Sequence, residues 1–197
     1  MALQKGVKEG IITVVDHHPE SLKPVRAIGC QTTTMDAITF LRANQIKPDD
    51  WIVPAIPLHV AFGWLRAVIK SDSQFKEITV PGSIGSQIPN PVWGDNGRVY
   101  TSIATFRCPD DCPEPNNICT ITQKPRPQRL WKTLANLHLP GFKSVCIVSH
   151  QMAPGVGGYQ YKALQQSRQV IQGDSGKFLL STACKCHGVI NAFTITK

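Results

Sequence analysis

Acid is nearly absent from the second part of this chain. Between residues 115 and 197 a single acid, Asp174, stands against ten Lys/Arg, whereas residues 1–114 carry twelve acids and eleven bases. The first portion is thus at −1 and the second at +9, within a net charge of +8. Such a surface suits a small anionic ligand, an acidic protein, or a metal–thiolate centre that is itself anionic; the alternative is a basic solvated face. Aromatic residues are scarce at 7% and show no stacking pattern, and no nucleic-acid motif accompanies the charge, so nucleic acid is not an expected partner. Long apolar runs are missing as well. The run Ile11 to Val15 stops at Asp16, too short for a secretory signal, and nothing approaches the roughly 20 apolar residues of a membrane span. The expectation is a soluble, cytoplasmic chain without membrane insertion. Oligomeric state is not legible. The 197 residues, 42% of them apolar, are enough for one sizeable core.

What is present in the first half reads as α/β. The β-branched run 10–15 predicts a buried strand. In the stretch that follows, Pro19 suits a first helical turn, Glu20 the positive helix end and Gly29 the stop, while Pro24 shortens or bends the helix. Residues 30–33 suit a second strand, 35–46 a helix, 49–57 a third strand ending at prolines, and 58–71 an amphipathic helix. This alternation predicts a parallel sheet. Residues 81–97 form a Pro/Gly/Asn-rich connection and 98–106 a strand. The expected fold class is α/β: a Rossmann-like parallel or mixed sheet with a Cys-rich loop and a C-terminal β-hairpin-like element. The expected organisation is a Rossmann-like half, 1–80, and a Cys-rich α/β portion, 81–197, packed as one unit.

The segment "ITVVDHHPESL", in which a strand ends at Asp16 before a Pro-Glu helix start, resembles the later part of the Rossmann-type nucleotide-binding domain of regulatory subunits of potassium uptake systems, over residues 10–70. In that family the acid at the strand end binds ribose hydroxyls. The Gly-rich phosphate turn that precedes the strand there has no counterpart here, since only nine residues precede Gly10, and NAD is not expected. Asp16-His17-His18 is also similar to the signature of the DHH phosphoesterases, which implies a manganese site that would need further His and Asp motifs.

Seven cysteines are an odd count for a reducing compartment, so a disulfide framework is not expected. "CPDDCPEPNNIC" places Cys108, Cys112 and Cys119 in a loop stiffened by Pro109, Pro113 and Pro115. Less entropy is lost when a stiff loop wraps a metal. Three thiols are one short of a closed site. "STACKCHG" supplies Cys184, Cys186 and His187 at a knuckle between two β-like runs, with Gly188 easing the turn. The two clusters together predict one composite centre, an iron–sulfur cluster (4Fe-4S) ahead of zinc; unreactive thiols and a redox-active disulfide are the alternatives. Lys185 is placed to offset thiolate charge. Cys30 and Cys146 read as buried thiols.

Residues 144–172 read as a strand, a Gly-rich loop and a helix. Gly155, Gly157 and Gly158 at a helix N-terminus would expose N–H groups to an anion, with His150 at the strand end as acid/base; the alternative is a tight packing turn. His59 and His138 read as surface or core histidines. Two functions follow. One is a metal-binding protein with a Cys-ligated centre in a redox or sensing role. The other is a metal-assisted enzyme acting on a small anionic or phosphate-bearing substrate at residues 155–158.

Overall fold

The computed structural model describes residues 11–69 and 75–196; Gly10 of the first expected strand and residues 70–71 of the last expected helix lie outside them. The chain divides into two units, 1–46 and 47–197. The boundary therefore falls well before residue 80, where the sequence placed it. The reason is pairing: the segment 47–80 contributes strands to sheets of the second unit.

In the first unit, β1 (Thr13–Asp16) and β2 (Gln31–Thr34) pair in parallel, with α1 (Pro19–Ala27) between them and α2 (Ala37–Ala43) after. Pro19 opens α1, where a missing N–H is harmless. The Asp36 side chain caps α2 by accepting from Thr39 N at 2.8 Å, and that bond, ahead of other effects, holds its carboxyl below the ordinary value. The Asp16 carboxylate accepts from the His18 backbone N at 2.8 Å, so it closes the turn into α1.

The second unit is built on a mixed sheet. β10 (Gly176–Ala183) and β11 (His187–Ile195) form the expected C-terminal hairpin, and β7 (Phe142–Val148) runs parallel beside β10. On the other edge of β11, β6 (Val99–Ser102) and β4 (Phe75–Ile78) pair end to end, and β5 (Val92–Trp93) extends from β6. The expected third parallel strand is only β3 (Trp51–Ile52). It joins an antiparallel sheet with β9 (Val156–Gln160) and β8 (His150–Ala153), so it is not part of a parallel sheet with β1 and β2. Proline at 54 and 57 ends its ladder early. The observed class is mixed α/β with several sheets.

Alternation along the hairpin sends side chains to two covered faces. Leu179, Ala183, Ile190 and Ala192 join Leu130 and Leu134 of α4 (Leu130–Ala135), with Val80, Ile84 and Val99, in one core. Phe178 and Phe193 face the other way and stack at 5.4 Å, while Phe193 also meets Phe62 of α3 (Val60–Val68) and Phe75. His59, at the cap of α3, is buried on this second face. Its Nδ1 bonds Asn191 Oδ1 and its Nε2 bonds Thr182 Oγ1, both at 2.8 Å, so one ring ties β10 to β11. Burial holds its pKa at about 4, below the usual 6.5. Of the two readings open for His59, surface or core, the structure takes the core one.

A candidate metal centre

The two cysteine clusters come from loops of very different make. The tip of the β10–β11 hairpin is short, residues 184–186. Cys184 N donates to His187 O at 2.9 Å, which closes the turn. The Sγ of Cys184 in turn accepts N–H groups from Cys186 at 3.4 Å and His187 at 3.3 Å. A sulfur met by the N–H groups two and three residues on is surrounded by donors that favour a thiolate. The opposite effects prevail: burial first, then a hydrogen bond to Glu114, push the Cys184 thiol up to about 12.

The other loop, residues 103–129, has no regular element beyond one bridge between Ile118 and Pro125. Within it, 118–125 folds as a small antiparallel turn in which Cys119 N donates to Lys124 O and Gln123 N to Cys119 O, each at 2.9 Å. The Thr122 N–H, then the Thr122 hydroxyl, then the Ile121 N–H hold the half-buried Cys119 thiol below its ordinary value. Here too the donors sit two and three residues beyond the sulfur. Cys112 Sγ lies 3.3 Å from Thr120 Oγ1. Burial raises Cys108, with the charges of Cys112 and Cys119 adding to it.

Two side chains strap the loops together. Glu114 accepts from Lys185 N at 2.9 Å through Oε1, and its backbone O accepts from Lys185 Nζ at 3.0 Å. Arg126 donates through Nε to Cys186 Sγ at 2.9 Å and through Nη1 to the Pro115 carbonyl. Cys186 is raised by burial and lowered in opposition by Arg126; the neighbouring charge of Cys108 also raises it. His187, 3.9 Å from Cys184 Sγ through Nδ1, is lowered by burial. The cation that meets a thiol is thus Arg126. Lys185, expected in that role, serves Glu114. Among the described residues no three His, Cys, Asp or Glu side chains converge closely enough to hold a metal ion between them.

The glycine loop departs from expectation. Gly157 and Gly158 lie inside β9, Gly155 is in the turn from β8, and the helix α5 (Tyr161–Gln172) follows only after β9. These glycines therefore do not open a helix. A hairpin forms instead because Gly155 takes φ +72°, and a side chain there would sit 1.8 Å from the Asp110 carbonyl oxygen. The turn is pressed against the cysteine loop: Gly155 N donates to the Cys112 carbonyl at 3.2 Å, and the Gln151 amide donates to the same oxygen. The glycine turn and the cysteine loop share this contact. His150 begins β8 opposite Gly158; it is exposed, with its ring edge-on to Trp51 at 5.8 Å. Sequence reasoning missed Arg126, Glu114 and Gln151. The available signal was "PRP" at 125–127, an arginine fixed by two prolines just after the cysteine run.

Residues 61–196 match the AF_1314_C family, described as "Uncharacterized protein, C-terminal domain", and the chain belongs to that family. It is also 29% identical over 151 residues to an Archaeoglobus fulgidus protein titled "Uncharacterized protein", a match covering 75% of this chain and 66% of the relative, just under two thirds of its length. No solved structure matches. No helix among the described residues is long and apolar enough to cross a membrane.

Proposed function

We propose that this chain is a cytoplasmic metal-binding protein whose centre is held by Cys108, Cys112 and Cys119 together with a ligand of the 184–187 turn. One observation carries the reading: the cysteine loop and the 184–187 turn are strapped to each other through Glu114 and Arg126, at a turn whose Cys184 sulfur accepts the N–H groups two and three residues on. Sulfurs so surrounded are suited to thiolate ligation, and Arg126 adds a charge-assisted donor at Cys186. Metal would deprotonate the thiols that burial now keeps neutral. Loading requires the sulfurs of the two loops to turn toward one another from their present rotamers. The Cys-Pro pairs at 108–109 and 112–113 place an iron–sulfur cluster ahead of zinc. A redox or sensing role follows from such a centre.

Anaerobic purification followed by metal and acid-labile sulfide analysis tests this. Iron with matching sulfide is the expected result, and zinc alone retains the centre but changes its chemistry. Ser in place of Cys108, Cys112 and Cys119 together should empty the centre; full occupancy in that variant overturns the proposal. Cys184→Ser and Cys186→Ser, taken singly, identify the ligand from the turn.

A further inference from the structure

Arg126 has two sides. Its Nε and Nη1 are committed to Cys186 and the Pro115 carbonyl. Among the described residues its Nη2 has no acceptor, and the same side chain lines a cleft of about 790 Å³ on the second unit. The other charged residues of that cleft are Arg129 and Lys132, and no carboxylate lines it. Neither cation meets a carboxylate among the described residues. Lys132 instead lies over the Trp131 ring, its Nζ 5.6 Å from the ring centroid. Three cations around one concavity without a counter-charge repel one another, and an anion relieves that repulsion. Arg126 is also pre-organised: its two fixed N–H bonds restrain the guanidinium plane, so little rotamer freedom remains to be lost on binding.

The rest of the lining narrows the class of ligand. Asn116, Asn117 and Gln128 present amides, Thr133 a hydroxyl, and no aromatic ring is in the wall. Amides both donate and accept, which suits hydroxyl groups. A wall without aromatic faces gives bases nothing to stack on, which argues against a single-stranded nucleic acid. The volume exceeds what a bare phosphate fills. We infer that this cleft binds a small hydroxyl-bearing phosphate ester, with Arg126, Arg129 and Lys132 holding the phosphate and the amides the remainder. This site uses neither the glycine turn nor any thiol as a ligand-binding group, and it shares Arg126 with the proposed centre.

The test is calorimetric titration of the full chain at low ionic strength with glucose 6-phosphate and, separately, orthophosphate. The expected result is saturable binding of the ester, at least about tenfold tighter than orthophosphate because only the ester engages the amides. Arg129→Gln and Lys132→Gln should each weaken it roughly tenfold, the effect of one lost charge-assisted contact. Both side chains are exposed, so circular dichroism and metal content should stay as in the parent. Absence of saturable binding, unchanged affinity in the double variant, or an equal response to sodium chloride at matched ionic strength overturns the inference. Equal affinity for ester and orthophosphate overturns the ester assignment. A chain that carries metal but fails this titration refutes the cleft alone; one that binds the ester without metal refutes the centre alone.

Discussion

The loops that carry the cysteines reach their positions by opposite routes. The 184–187 turn is delivered by a ladder: eight residue pairs of β10 and β11, from Gly176–Ile195 to Ala183–Gly188, lead straight to it. Its backbone is also pinned from outside, since its carbonyls accept from Ile103 N, Leu130 N and Trp131 N. The 108–119 loop has no ladder. It is placed by donors reaching from elsewhere: Gly155 N and the Gln151 amide at Cys112 O, Arg126 at Pro115 O, and Lys185 at Glu114. One loop is positioned by the sheet, the other by a handful of individual contacts. Damage to the sheet should therefore cost global stability by itself, whereas damage to a single loop contact should release the long loop and cost stability only as far as it strains the element on the other side of that contact.

The strongest way to break the contrast is where the long loop meets the β8–β9 turn. Gly155→Val puts a β-branched side chain at φ +72° and against the Asp110 carbonyl. Strain and overlap together should cost about 4 kcal/mol in urea unfolding and strip metal from the purified chain. Unchanged metal content would show that the clamp at Cys112 does not position the loop.

Acid attacks the sheet-borne route. The folded-state pKa of His59 is about 4, below its unfolded value of 6.5, so between those values the unfolded chain binds more protons. The stabilisation is complete above pH 6.5 and is lost as pH falls toward 4, about 3 kcal/mol in all. Urea midpoints across this window should fall steeply in the parent and more gently in His59→Gln, which removes the titrating ring. Parallel slopes would remove His59 as the cause.

Glu114→Ala sharpens the comparison at smaller scale. It leaves Lys185 N without its acceptor, at a cost of about 1–2 kcal/mol. It also removes one of the influences that raise the Cys184 thiol, so that thiol should react faster with iodoacetamide at fixed pH. A slower reaction would mean that the loss of loop contact outweighs the loss of the carboxylate.

Much of the scaffold was legible from residue order alone. The α1 start at Pro19, the parallel βαβ of the first unit and the β10–β11 hairpin each rest on local signals, a proline where no N–H is needed and β-like runs; Gly188, expected to ease the turn, instead lies within β11 opposite Ala183. The glycine segment misled because a strand, glycines and a helix in series fit both a phosphate turn and a hairpin. What decided was the partner: β9 pairs with β3 and β8, and its turn lies against Asp110, more than forty residues earlier in the chain. The unit boundary at 46/47 was hidden for the same reason, because β4 is claimed by β11.

By itself the sequence determined which residues can do chemistry: the thiol clusters, the proline-stiffened loop that carries the first of them, and a C-terminal portion with one acid. Those are properties of side chains and of local backbone freedom, and they do not depend on what lies nearby in space. Only the tertiary structure decided that Arg126 rather than Lys185 meets a thiol, that Glu114 strap the two loops, and that three cations share one cleft. Each of those facts is a contact between residues far apart in sequence. Such contacts are set by strand register and by the crossing of loops, which no local pattern encodes.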